Sequence, residues 1–224
     1  MSGGGGSDGR LHGRRVTLRP LVVSDFFQWS EVRVRSTAWL TRWEPARPPG
    51  VADVTTNRSA FAARCRARDR ERQLGTGYGF GIFAGNRFCG EINVNGVQRG
   101  PFQSAYVGYW VDEACAGWGY CPEAVVVLAR HCFEELDLHR LQIAIVPRNS
   151  ASRRVVAKLG LREEGIAVRY LEIDGTWEDH IRYAITAEEW QERRDELLGA
   201  WVLPRAEPAA TSAQGRGRKR RLPP

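Results

Sequence analysis

Between residues 105 and 145 the chain runs strand, glycine turn, helix, strand, and this order restricts the fold more than any other feature. Residues 105–111 alternate as a strand does, Tyr106, Gly108 and Trp110 facing one way and Val107, Tyr109 and Val111 the other. The run Ala116-Gly117-Trp118-Gly119-Tyr120-Cys121 leads into a helix predicted over 122–136, with Pro122 at its first position and Val125, Leu128, Cys132 and Leu136 as a buried stripe. Leu141, Ile143 and Ile145 mark the next strand. A helix between two strands makes a crossover, so these strands are predicted parallel or nearly so.

Around this unit the periodicity is that of hairpins. Residues 78–84 and 87–97 read as strands joined at Gly85-Asn86, and 167–173 and 180–186 flank the turn Asp174-Gly175. A first strand is predicted over 15–21. Helices are predicted from a Ser24/Asp25 cap to about Arg35, from an Asp53 cap to about Glu71, over 151–159 and over 187–198, with the proline-rich stretch 44–51 a loop. The fold class is therefore mixed α/β (α+β). One domain over 14–199 is expected, between a flexible Gly/Ser-rich start at 1–13 and a tail at 200–224.

With 42% hydrophobic and 26% charged residues, a chain of 224 residues can bury a sizeable core. No apolar run reaches the roughly 18 residues that span a bilayer. No membrane association is expected, and the location expected is cytoplasmic. The five cysteines form no Cys-x-x-Cys pair and read as free thiols, with no metal site. The formal charge is +7, of which residues 204–224 carry a net +5 through Arg205, Arg216, Arg218, Lys219, Arg220 and Arg221. Such a segment cannot bury enough apolar surface to fold; it is either an inert end or a loose electrostatic contact with RNA.

Two motifs carry chemistry. The amides of Gly117, Trp118, Gly119, Tyr120 and Cys121 have no helical carbonyl ahead of them, so they can hold a pyrophosphate at the positive end of the helix; simple punctuation between strand and helix is the alternative. The turn is neither a Walker loop nor a full Gly-x-Gly-x-x-Gly dinucleotide fingerprint. In the second motif, residues 147–165, Asn149, Ser150 and Ser152 stand where they can cap a helix. Together, Asn-x-x-Ser-x-x-Val-x-x-Lys-Leu-Gly-hydrophobic-x-x-Glu-Gly some 30 residues after a Gly-x-Gly helix start resembles the coenzyme A-binding half of the GNAT superfamily. Arg15-Val16-Thr17-Leu18-Arg19-Pro20-Leu21, Gly108-Tyr109-Trp110-Val111-Asp112 and the stretch from Tyr170 to His180 extend the resemblance to the ribosomal-protein alanine N-acetyltransferases.

The resemblance implies a GNAT fold, a mixed, mostly antiparallel central sheet splayed into a V with flanking helices, and acetyl-coenzyme A as cosubstrate. It implies that pantetheine pairs with the backbone of Tyr109, Trp110 and Val111, that pyrophosphate lies on the amides of residues 117–121, and that Asn149 and Ser152 border the thiol. Ala116 and Cys121 depart from the superfamily pattern, which usually has Gln or Arg at the first position and Gly or Ala at the second. A neutral amine attacks the thioester directly, which requires a base, an N–H for the developing oxyanion and a hydroxyl for the leaving thiolate, the last assigned to Ser152. Glu91, in the strand bordering the expected acceptor cleft, is the first candidate base, followed by Asp179 and His180. Where some relatives place an acid just before the Tyr-Leu pair, this chain has Arg169. The acceptor is expected to be a protein N-terminus, with a ribosomal protein suggested. A small-molecule amine bound among Trp29, Trp39 and Trp43 is the second reading, and a non-catalytic acyl-coenzyme A-binding module the third.

Overall fold

The computed structural model describes residues 9–204. The glycine-rich start and the basic run at 216–221 lie outside the described residues. Within them, β1 (Leu11–His12), β2 (Val16–Arg19), β3 (Tyr78–Ala84), β4 (Arg87–Gln98), β5 (Ser104–Val111), β6 (Arg140–Ile145), β7 (Arg162–Ile173) and β8 (Thr176–Thr186) form one sheet in the order β1-β2-β3-β4-β5-β6-β8-β7. All neighbours are antiparallel except β5 and β6, which are parallel as the crossover requires.

The parallel pair is short. Ser104, Ala105 and Tyr106 pair with Arg140, Leu141 and Gln142, after which β5 and β6 part, leaving residues 107–111 with no strand on that edge. At the root of this V the Gln142 amide donates to Ser104 Oγ at 3.0 Å, both side chains buried.

Helices cover both faces. α4 (Tyr120–Glu134) and α6 (Ala187–Trp201) pack over Leu18, Ile92, Val94, Val107 and Ile143, while α1 (Phe26–Arg35) and α3 (Arg58–Leu74) enclose a second core of Phe26, Trp29, Phe61, Phe83 and Phe88. The alternation of β4 serves both cores, since Ile92 and Val94 face α4 while Glu91 faces α1 and α3. A bulge at Cys89-Gly90 aligns this alternation. Gly90 (φ 150°) could carry no side chain, because a Cβ would lie 2.2 Å from the Trp110 carbonyl oxygen.

Several boundaries differ from expectation, among them the earlier starts of β7 at Arg162 and β8 at Thr176, and three of the differences have a local reason. α3 starts at Arg58, capped by Asn57, whose side chain accepts from the Ala60 N–H at 3.0 Å; Asp53 instead bonds the Thr55 N–H in the preceding turn. α4 begins at Tyr120, two residues before Pro122, which is tolerated because first-turn N–H groups have no helical partner. Ordered structure also reaches past 14–199 on both sides: β1 starts at Leu11, α6 ends at Trp201, and Val202 is buried. Arg14 joins the two ends by donating to the carbonyls of Gly199, Ala200 and Leu203. Among the described residues, no helix is long and apolar enough to cross a membrane.

Candidate active site

Where β5 and β6 part, a cleft of about 740 Å³ opens to solvent, large enough for an extended ligand. One end is formed by the turn before α4. Gly117 (φ 83°) and Gly119 (φ 81°) adopt left-handed angles that favour glycine. Arg15 braces this turn, donating to the carbonyls of Trp118 (2.7 Å) and Gly119 (3.3 Å). Arg15 is held in its turn by the fully buried Glu123, whose carboxylate also accepts from the backbone N–H groups of Arg15 and Val16. The carbonyls are thus engaged by Arg15, and the first-turn N–H groups of α4 stay available to an anion. Arg154 and Lys158, on α5 (Ser150–Lys158), add positive charge to the same cleft.

In the V itself Tyr109 meets α5. Ser152 Oγ donates to the Tyr109 hydroxyl at 3.1 Å, and that hydroxyl donates to the Ser152 carbonyl at 3.3 Å. Burial pushes the Tyr109 phenol far above its ordinary range, so it stays protonated. Asn149 caps α5, its side chain accepting from the Ser152 N–H at 3.0 Å, and so fixes where Ser152 points.

The opposite end is built from side chains: Trp39 and Leu40 from the short helix α2 (Thr37–Leu40), Trp43 from the 3-10 turn after it, Glu44 and Pro45 from the loop that follows, Arg68 from α3, Asn93 and Asn95 from β4, and Trp110 from β5. Trp39 Nε1 donates to the Val111 carbonyl at 3.2 Å, and Arg33 holds both Glu44 oxygens at 2.6 Å.

Of the residues predicted from sequence, Tyr109, Trp110, Val111, Gly117, Gly119, Tyr120, Cys121, Asn149 and Ser152 line the cleft. Trp118 does not; its ring is exposed and its carbonyl belongs to Arg15. Cys121 is buried, which pushes its thiol far up, and it fills space as a small apolar side chain. Glu91 requires correction: it is enclosed beneath α1 and α3, one oxygen accepting from Trp29 Nε1 and the other from Arg64, and it does not line the cleft. Asp179 is likewise outside, accepting from the Arg169 backbone N–H, and buried His180 bonds the Glu178 carbonyl and packs on Tyr170. Trp29 belongs to the second core, whereas Trp39 and Trp43 line the cleft. Sequence reasoning missed Glu44, hidden in a proline-rich connection, and the Tyr109 phenol, although strand alternation points that ring away from Trp110.

A family model described as the acetyltransferase (GNAT) domain matches residues 15–162, two thirds of the chain. The chain belongs to the GNAT acetyltransferase family. It is an acetyl-coenzyme A-dependent N-acetyltransferase. The Bacillus subtilis protein named "Probable N-acetyltransferase YjcK" is 32% identical over 177 residues, covering 78% of this chain and 96% of that protein. The [ribosomal protein uS5]-alanine N-acetyltransferase of Escherichia coli is 29% identical, covering 81% and 92%. Among solved structures, Mycobacterium smegmatis RimJ in complex with CoA-disulfide superposes with a TM-score of 0.77 at 35% identity, covering 86% of this chain and 92% of that one. The GNAT cleft fits acetyl-coenzyme A in kind: an unpaired strand edge for an amide-bearing arm, glycine amides and two cations for phosphates, and hydroxyls between them.

Proposed function

We propose that this N-acetyltransferase modifies the α-amine of a protein N-terminus, specifically the N-terminal alanine of a ribosomal protein. The observation carrying this reading is a cleft open to solvent, in a chain that covers 92% of an enzyme named for alanine acetylation of ribosomal protein uS5. An N-terminus needs such an approach, because its first residue must reach the thioester while the rest of the protein stays outside.

The cleft residues divide the work. A backbone N–H on the free edge of β5 bonds the thioester carbonyl oxygen as negative charge gathers there. The acceptor, an α-amine with a reference pKa of about 8, must lose a proton to attack. As the carbon–sulfur bond breaks, Ser152 Oγ turns its proton from the Tyr109 oxygen, 3.1 Å away, to the leaving thiolate, and takes up in turn the proton that the attacking nitrogen releases. Glu91 has a different part from that expected of it: with Trp29 and Arg64 it fixes α1 and α3 against β4. The basic tail adds an electrostatic contact with RNA, as on a ribosome in the cytoplasm.

The aromatic walls Trp39 and Trp43 favour a second reading, a small-molecule amine as acceptor. Incubation with acetyl-coenzyme A and a panel of N-terminal peptides and small amines, read by mass spectrometry, separates the two. Acetylation of alanine-initiated peptides is expected; turnover of small amines alone would reject the protein acceptor.

A further inference from the structure

The acceptor end of the cleft has an unusual charge distribution for a site that receives an amine. Among the described residues that line the whole cleft, Arg68, Arg154 and Lys158 are cations and Glu44 is the single carboxylate. The tryptophan faces are already taken by the protein's own cations: Arg42 and Arg148 lie 4.9 Å and 5.3 Å from the Trp43 ring centre, and Arg33 lies 5.0 Å from that of Trp110. Arg68 and Arg148 are themselves paired with Glu71 and Glu178, so the carboxylate that an entering ammonium meets on the cleft lining is Glu44.

Glu44 is also the best-fixed residue of its loop. Its carboxylate is gripped by both Arg33 terminal nitrogens, and its carbonyl accepts from the Asp174 N–H at 2.9 Å, which ties the loop to the turn between β7 and β8. A carboxylate has about four acceptor positions, of which Arg33 uses two. Asn93 on β4 also lines the cleft, but its Oδ1 is buried beside Gly79 and out of a ligand's reach. An ammonium offers three donors and no acceptor, the complement of the positions that Arg33 leaves free on Glu44.

We propose that Glu44 docks the acceptor's ammonium as its counter-charge. Arg33 acts as the positioning residue behind Glu44. This rests on the reading of an α-amine acceptor and names the residue that recognises it.

The test compares two nucleophiles on one alanine-initiated peptide, its native α-amine, charged at neutral pH, and an aminooxyacetyl cap, which is neutral there. Glu44→Gln should raise KM for the native peptide at least about tenfold, and the deficit should shrink as pH rises past the amine's pKa of about 8. The capped peptide should be acetylated with nearly unchanged KM, and coenzyme affinity should be kept. Glu44→Asp, which keeps the charge, should recover part of the loss. Equal losses for both nucleophiles, or none for either, would overturn the proposal. If wild-type protein ignores peptides and acetylates a small amine, the protein-acceptor reading fails by itself, and Glu44→Gln measured on that amine still decides the role of Glu44.

Discussion

The two ends of the cleft are made of different material. The coenzyme end is built from backbone: a free strand edge, two glycines in left-handed conformation and the first turn of a helix, with side chains serving mainly as braces from behind. The acceptor end is built from side chains that hold other side chains, Arg33 on Glu44, Arg68 on Asn95, and Trp39 on the Val111 carbonyl. A backbone site tolerates most substitutions that preserve its path and fails when the path moves. A side-chain site changes with each residue, so one fold can serve many acceptors.

If that contrast holds, the largest effect at the coenzyme end comes from a residue that never faces the cleft. Glu123→Ala removes a fully buried carboxylate and strands Arg15 together with two backbone N–H groups. Each backbone N–H group left buried without an acceptor costs about 1–3 kcal/mol, whereas Arg15, whose side chain is 43% exposed, can turn to water. Denaturant unfolding should show that loss, and protein still folded should bind coenzyme more weakly. Unchanged stability would mean that the turn before α4 holds itself.

Next in size is the hydroxyl pair. Ser152→Ala and Tyr109→Phe each leave one hydroxyl near the sulfur, so each should lower kcat modestly, whereas the double variant should lose about 10²-fold, the scale of general-acid loss. The excess over additivity is the informative quantity, since residues in one network couple. Additive losses would separate Tyr109 from the reaction. A smaller effect is expected at Gly119, where a Cβ would stand 3.1 Å from Arg15 Nη2 and the φ of 81° strains any side chain. Gly119→Val should raise the coenzyme dissociation constant about tenfold, equivalent to about 1.4 kcal/mol. Calorimetry giving wild-type affinity would remove the turn from the binding site.

The same division explains what could be read in the sequence. Strand order around the crossover, both hairpins and the coenzyme turn were legible, because glycines, proline and alternation report backbone paths directly. Glu91 misled for the opposite reason. Its strand position placed it on the acceptor face, but whether α1 and α3 cover that face depends on contacts across about 27 and 62 residues, with Arg64 and Trp29, which no local pattern encodes. Glu44 was overlooked in the same way: an Arg-Trp-Glu-Pro loop looks like a connection until Arg33 and the β7–β8 turn pin it over the cleft. The Asp53 cap failed locally, since Asn57 competes for the same role four residues later.

The smallest expected effect lies at the C-terminus, where the contrast between folded wall and charged appendage is sharpest. Removing residues 205–224 takes away the basic run and none of the contacts described for the fold, so the melting temperature should be nearly unchanged. The cut must fall after Pro204. Arg14 donates to the carbonyls of Gly199, Ala200 and Leu203, and Val202 is 6% exposed within the main core. Truncation at residue 200 would therefore forfeit about 1.5–3 kcal/mol from burial of Val202 alone, along with the anchor between α6 and the residues before β2. The shorter truncation should instead act on encounter with an acceptor that carries RNA. Its KM for a ribosomal acceptor should rise at low salt, and the difference from the full chain should fade as salt screens the charge. Free N-terminal peptides, which offer no RNA, should show no difference at any salt. Should removal of 205–224 lower the melting temperature by many degrees, the tail is part of the folded wall, and the division between fold and appendage falls elsewhere.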